Sequence, residues 1–461
     1  MMPFDPWRSW GVAVDVIAAT QAGPSGLAER RARRLSALLA ATARGSRLYT
    51  SLWKGIDRSR VALQQLPVVN KSELMGRFDE WVTDPALRLA GLRQFTANPS
   101  RIAEPYLGRY VVWESSGSSG VPGIFVQDAS AMAVYDALEA LRRPALRPWQ
   151  RLLDPWGVAE RIAFLGATNG HFASTVSVER LRRLNPAMRA SLHSVSFLQP
   201  LPRLVAELAS LAPTILATYP SAAVLLAEER LAGRLKVDVQ EVWTGGETLT
   251  PSMRRFIERA FGCRVANSYG ASEFLSLASE CVHGKLHLNS DWAILESVDD
   301  RGQPVPAGEA GDTTLLTNLA NHVQPLVRYD LGDRVTLHAR PCACGSVLPV
   351  IEVEGRTDET LHLGQPGSKV VSVLPLAVST VLEDDAGLFD FQLVQEGPCE
   401  LLLRTGLRGP AARVALRRAR KVLAGFLDGQ GAAGVHIRCR TDEPGKRGRS
   451  GKVARVVAFT R

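Results

Sequence analysis

The sequence predicts an α/β protein: a large N-terminal domain of βαβ units with a β subdomain, followed by a small, mobile α+β domain. Three observations carry the prediction. From about residue 110, short apolar runs alternate with helical stretches, which is the pattern of a mainly parallel sheet. After about residue 290 the runs become strand-rich. After Gly355 a last segment mixes strand-like and helical runs. The expected division is 1–355 and 356–461.

The elements follow in order. Residues 26–45 are rich in Ala, Leu and Arg and read as an amphipathic surface helix. "FDEWVTDPALRLAGLRQF" continues the helical character to about Phe95. The runs "RIAFLG", "TILATYP", "EVWTGGE" and "CRVANSYG" read as strands, with "LPRLVAELASLA" and "PSMRRFIERAFG" as helices between them. "WAILESV", "DTTLLTNL", "RVTLHAR" and "LPVIEVEG" form the β-rich part. "FQLVQ" and "ELLLRT", a helix over 410–427, then "GVHIRCR" and "ARVVAFT" make the last domain.

The chain has 461 residues, 46% of them hydrophobic, enough for two or more globular domains. No run of about 18 apolar residues occurs, so no membrane span is expected. "MMPFDPWRSWGVAV" has neither the basic nor the long apolar region of a signal peptide. Six cysteines are too few for a disulfide scaffold in a chain of this length, and a reduced, cytoplasmic protein is expected. The net charge of +9 is uneven. Residues 401–461 hold 15 Lys and Arg against 3 Asp and Glu, a local +12, which leaves −3 for the rest. Such an end attracts polyanions. Its aromatics, Phe426 and Phe459, are too sparse to stack bases. A phosphorylated small molecule or an acidic carrier protein fits it as well as nucleic acid does.

"ESSGSSGVPG", Glu114 to Gly123, follows the strand-like "YVVW". A glycine-rich loop after a strand can turn its backbone N–H groups toward a phosphate, and serine hydroxyls add donors. The loop has no lysine, so it is not a Walker A motif, and the G-x-G-x-x-G dinucleotide turn is absent from it too.

The loop resembles the Ser/Thr/Gly-rich phosphate loop of the adenylate-forming superfamily of acyl- and aryl-CoA ligases. Five further elements follow in that family's order: "TGGETL" at 244–249, "NSYGASE" at 267–273, "VRYDLGD" at 327–333, "EGRTDE" at 354–359 and "GRSGKVARV" at 448–456. The variant is most similar to the phenylacetate–CoA ligase branch, by its R-Y, its short C-terminal domain, "GHFAS" and "CACG". The match covers about residues 110–456. Two departures stand out. Gly123 replaces the Lys or Thr of many relatives, and "LHLGQPGSKVVSV" is looser than the family's Gly-rich turn after the hinge.

The resemblance implies ATP-dependent activation of a carboxylic acid as acyl-AMP and transfer to a thiol, CoA or a carrier-protein phosphopantetheine. It implies that Ser115, Ser116, Gly117, Ser118, Ser119 and Gly120 hold the β- and γ-phosphates. Gly245, Gly246, Glu247, Ser268, Tyr269 and Gly270 belong to the adenine and aryl side. Asp333 receives the ribose hydroxyls and Arg356 lies near the ribose and α-phosphate. Glu273 ligates Mg²⁺ and Ser272 binds the α-phosphate. Lys452 stabilises the departing pyrophosphate, and Asp358 is the hinge on which the small domain turns. Phe164, Gly166, His171, Phe172, Tyr219 and Pro220 line a pocket for an acid, expected to be aromatic.

Cys342 and Cys344 form C-x-C, and Cys281, His283 and His287 lie in "ECVHGKLH". This mixture suits a tetrahedral, structural Zn²⁺. The branch's Gly-x-His selects Cys281, His287, Cys342 and Cys344, with His283 as the substitute. Two other readings stay open. One keeps the adenylate but passes the acyl group to an amine or other nitrogen nucleophile; the distant one is nucleic-acid binding through the basic end. The expected partners are a small carboxylic acid and an acyl carrier protein, with no nucleic acid and no membrane, in a monomer or homodimer.

Overall fold

The computed structural model describes residues 4–56, 62–115, 123–143, 146–147, 154, 159–354, 360–364, 370–388, 390–443 and 455–459. The chain forms two compact units, one of residues 1–115, 123–155 and 266–355, the other of 116–122, 156–265 and 356–461.

The first unit joins helices to antiparallel sheets. Its first helix, Pro6–Gln21, starts at Asp5, whose carboxylate accepts the Arg8 N–H at 3.1 Å. The helix Gly23–Gly45 realises the amphipathic run expected at 26–45, burying Leu27, Leu38 and Thr42. Both are tied to the sheets through a buried ion cluster. Asp291 is fully buried and meets Arg142 at 3.0 Å and Arg34 at 3.5 Å, while the Arg34 guanidinium lies 3.4 Å from the Trp292 ring centre.

The strands Val111–Glu114 and Ile124–Gln127 pair as an antiparallel hairpin, Val111 opposite Gln127 and Glu114 opposite Ile124. Both strands are almost wholly buried. Amide side chains complete the hydrogen bonding of Ile124–Gln127. Gln324 accepts the Val126 N–H at 2.7 Å and donates to the Ile124 carbonyl at 2.8 Å, and Asn321 donates to the Val126 carbonyl at 2.8 Å. Buried backbone groups require such partners.

The strand-rich part after residue 290 is as expected. Ala293–Val298, Thr313–Asn318 and Tyr329–Asp330 form one antiparallel sheet. Phe274–Glu280, Leu286–Leu288, Val350–Glu354 and Arg334–His338 pair in that order in another.

The second unit contains the parallel sheet. Its strands lie in the order Glu241–Thr244, Ile215–Thr218, Ile162–Gly166, Leu192–Ser196, all parallel. The helices Ala173–Leu184, Leu201–Leu211, Pro220–Leu231 and Pro251–Phe261 fall between and after these strands in the chain. Parallel strands need such crossovers and are apolar on both faces. Leu165, Val195, Leu216 and Val242 are accordingly buried among Leu208, Leu226 and Ile257. The segment after 360 is α+β, as expected. Val456–Val457, Gln392–Gly397, Glu400–Arg404 and His436–Arg440 form a four-stranded sheet. The helix Gly409–Gly429 buries Leu416, Leu423 and Leu427 in the same core as Leu393 and Leu403. Among the described residues no helix is long and apolar enough to cross a membrane.

Candidate functional site

In the second unit the sequence-predicted pocket residues gather at one edge of the parallel sheet. Ile162–Gly166, Ile215–Thr218 and Glu241–Thr244 run the same way. Just past their carboxyl ends come His171 and Phe172, then Tyr219 and Pro220, then Gly245, Gly246 and Glu247. Open α/β sheets bind ligands at this edge. Phe164 and Gly166 are two residues apart on one strand, so they share a face. A Cβ at 166 would stand 2.5 Å from Phe164 Cζ, which makes glycine a requirement of that ring position. His171 is buried. Phe172 caps the helix Ala173–Leu184, its carbonyl accepting the Val176 N–H at 2.8 Å.

Tyr219 caps the helix Pro220–Leu231 and meets Phe197 edge-on at 5.9 Å. Burial pushes its phenol pKa up. Gly246 has φ +79°, and a Cβ there would lie 2.8 Å from Tyr219 Cε1, so the turn and the ring both require glycine. Glu247 accepts the Ser221 N–H and the Ser221 hydroxyl, both at 3.0 Å. It thus ties the predicted adenine turn to the first turn of the Pro220–Leu231 helix, where a carboxylate is favoured.

In the first unit "SYGASE" forms the end of the strand Arg264–Ala271 and the turn into Phe274–Glu280. Ser268 opposes Ser279 and Tyr269 opposes Ala278, then the register shifts between Tyr269 and Ala271. Gly270 sits at the shift, where a Cβ would be 1.9 Å from the Leu275 carbonyl oxygen. Bulges of this kind re-aim side chains. The Tyr269 hydroxyl donates to Asp333 Oδ2 at 2.8 Å, joining the predicted adenine and ribose residues. Burial, then the Asp333 charge, hold that phenol well above its usual pKa.

Ser272 and Glu273 form the turn itself. The Trp113 indole N–H donates to the Ser272 carbonyl at 2.8 Å. Glu273 is buried, and its Oε1 accepts the Tyr329 hydroxyl at 2.8 Å. Asn318 donates to the Glu273 carbonyl at 2.9 Å. Tyr329 lies in the predicted "VRYDLGD", yet its bond to Glu273 spans 56 residues, and sequence reasoning assigned it no part.

The base of the serine–glycine loop is closed by Ser115 and Gly123. The Ser115 N–H donates to the Gly123 carbonyl at 2.8 Å, and the Gly123 N–H to Ser115 Oγ at 2.9 Å. Lys71 donates to the same Ser115 Oγ at 3.3 Å. This cation was not singled out in the sequence; it lies 44 residues from the loop, and its local pattern is only that of a helix start capped by Asn70. Ser116, Gly117, Ser118, Ser119, Gly120, Arg356, Asp358 and Lys452 lie outside the described residues.

The four candidate metal ligands meet. One ligand atom from each of Cys281, His287, Cys342 and Cys344 lies within 4.8 Å of all the others. Cys281 Sγ and Cys342 Sγ are 3.8 Å apart, and Cys344 Sγ is 3.4 Å from His287 Nε2. A zinc tetrahedron with bonds of about 2.3 Å to sulfur and about 2.0 Å to nitrogen has edges of about 3.8 Å and about 3.5 Å. The donor set therefore fits. His287 Nδ1 faces the Leu348 carbonyl at 2.8 Å, the outer contact that orients a ligating imidazole. Burial pushes the Cys344 thiol up to about 11. His283 is exposed and stands outside the cluster.

Residues 187–314 match the AMP-binding enzyme family. Among solved structures, 2-hydroxyisobutyryl-CoA ligase in its thioesterification state aligns with a TM-score of 0.58 at 20% identity, over 95% of this chain and 91% of that one. Its open conformation aligns with a TM-score of 0.52 at 20% identity, over 92% and 90%. The fold is therefore that of 2-hydroxyisobutyryl-CoA ligase. By sequence it is similar to phenylacetate-coenzyme A ligase of Thermus thermophilus, with 31% identity over 179 residues. It also resembles the protein CapK of Staphylococcus aureus, with 34% identity over 96 residues. The matched segments are 37% and 21% of this chain, and 39% and 20% of those relatives' own lengths.

The bulge at Gly270 gives a direct test of the turn. Gly270→Ala forces a methyl group against the Leu275 carbonyl and should cost about 3 kcal/mol of stability. A urea midpoint equal to that of the wild type would show that the turn is not built on this contact.

Proposed function

We propose that the protein is an ATP-dependent ligase that activates a carboxylic acid, aromatic in class, as its acyl adenylate and passes the acyl group to a thiol. The observation that carries this reading is that His171, Phe172, Tyr219, Pro220 and the turn Gly245–Glu247 all follow the carboxyl ends of three parallel strands. The Tyr269–Asp333 bond and the turn carrying Glu273 in the other unit support it. So does the likeness to proteins whose names are those of CoA ligases.

The chemistry follows from the leaving groups. A carboxylate cannot lose oxide, so its oxygen attacks the α-phosphorus of ATP and pyrophosphate leaves. A thiol sulfur then attacks the acyl carbon and AMP leaves. Charge builds on phosphate oxygens in the first step, so cations and N–H donors accelerate it. In this reading the serine–glycine loop holds the terminal phosphates. Lys71, hydrogen-bonded at the loop's base, adds a positive charge beside them. Glu273, oriented by Tyr329, is the ligand for Mg²⁺, which supplies charge neutralisation when bound. Asp333 receives the ribose. Lys452 acts on the bridging oxygen in the first step, and Asp358 is the pivot between a domain of residues 1–355 and one of 356–461. The basic end meets the phosphates of CoA or an acidic carrier protein. The protein is taken to be cytoplasmic. Cys281, His287, Cys342 and Cys344 hold a structural Zn²⁺, since four protein ligands leave no open position.

Pyrophosphate exchange across a panel of aryl and acyl acids, with and without CoA, tests the activity. Exchange for at least one aromatic acid, with thioester formed when CoA is added, is expected; no exchange for any acid overturns the reading. Lys452→Ala should lower adenylate formation by roughly 10²–10³, the cost of one strong charge-stabilising contact. Transfer from preformed adenylate should stay near the wild-type rate. Equal loss in both half-reactions would remove Lys452 from this role. Protein purified without chelator should contain one zinc per chain, and chelation should lower its melting temperature. Zinc far below that ratio, with stability indifferent to chelator, would sink the metal assignment.

A further inference from the structure

The first helix, Pro6–Gln21, has one face in the core and one in water, and both are apolar. Val16 and Ala19 are fully buried, and the helix packs against Ala129–Arg142. On the opposite side Trp7 is 84% exposed, Trp10 68%, Val14 45% and Ile17 49%. Their spacing of three and four residues places them in one stripe along the helix. Phe4, just before the helix, is 47% exposed and extends it. Two largely exposed tryptophans head this stripe, and stripes of this kind mark interaction sites.

The composition of the stripe selects the partner. The helix has two charged residues, Arg8 and Asp15, and neither belongs to the stripe. Arg8 bonds Ser130 and stands 3.9 Å from Asp5. Asp15 pairs with Arg30 at 3.1 Å and with Arg34. The helix is therefore neutral, and its stripe offers no cation to an anionic headgroup or an acidic protein. A neutral apolar surface is complementary to itself, which is what a two-fold interface requires. At the areas typical of aromatic and aliphatic side chains, these exposures amount to on the order of 600 Å² per copy. That reaches the lower bound of stable interfaces, about 600 Å² per partner. Aromatic enrichment with charge depletion is also the composition of interface cores.

We propose that the stripe Trp7, Trp10, Val14 and Ile17 is the core of an isologous homodimer interface, each first helix packing against its counterpart in a second copy of the chain. The proposal is independent of the catalytic reading. Sedimentation of the full chain from about 1 to 100 μM at physiological salt should give the mass of two chains. Trp7→Glu/Trp10→Glu, and separately Val14→Arg/Ile17→Arg, should raise the dimer dissociation constant at least about 30-fold, as for loss of a central aromatic anchor. Both pairs change exposed positions, so their thermal melts should match the wild type. Amide exchange of residues 6–21 should slow as wild-type concentration rises, a readout that needs no variant. A single-chain mass at 100 μM overturns the proposal. So does a dimer that both folded variants leave intact, or a dimer whose residues 6–21 exchange at a concentration-independent rate. A monomer that instead cosediments with phosphatidylcholine–phosphatidylglycerol vesicles overturns it in favour of a lipid-facing stripe.

Discussion

Glu273 is withdrawn from water on a two-residue turn, and a withdrawn carboxyl group must find donors within the protein. Much of its unit answers that requirement. Tyr329 gives its hydroxyl to the side chain, and Asn318 gives an amide hydrogen to the backbone carbonyl. Trp113 fixes the neighbouring Ser272 carbonyl. Gly270 lets the chain bend where any side chain would strike Leu275. These four residues come from three different sheets. The turn is therefore held by tertiary contacts rather than by its own sequence, and its position is as rigid as the buried residues around it.

The parallel sheet of the other unit solves a different problem. Its two central strands, Ile215–Thr218 and Ile162–Gly166, are almost wholly apolar, so the polar side chains nearest them lie mainly in the loops at their ends. Two of these loops are braced against a helix start rather than left to themselves. Glu247 holds Ser221 by two bonds, and Gly246 leaves room for the Tyr219 ring. A carboxylate and an aromatic ring at one helix start give this edge both a polar and an apolar wall.

The alternation of runs was enough to read the sheet, its helices and the β-rich part that follows, because each depends on local periodicity. Residue type and order also singled out Tyr269 and Asp333, which the structure joins by a hydrogen bond, Glu273, and the two segments whose cysteines and histidine it brings together. What was not legible is long-range. Lys71 bonds Ser115 across 44 residues, and Gln324 clamps Ile124–Gln127 from about 200 residues away. A lysine at a helix start and a glutamine in a loop have no local signature of such roles. The first helix fails for another reason. "PWRSWGVAVDVIAATQ" is apolar on two faces, and periodicity cannot say which face meets the core.

The serine–glycine loop is pinned at its base. Ser115 bonds both the carbonyl and the N–H of Gly123, so the two ends of the loop are fixed together whatever lies between them. Bringing chain ends together is an entropic cost that folding has already met at this point. The same closure isolates the loop from the hairpin beneath it. Residues gained or lost within 116–122 over evolutionary time would change the loop's girth without shifting the pairing of Val111–Glu114 with Ile124–Gln127. The register of the hairpin is thus set independently of the length of the segment 116–122.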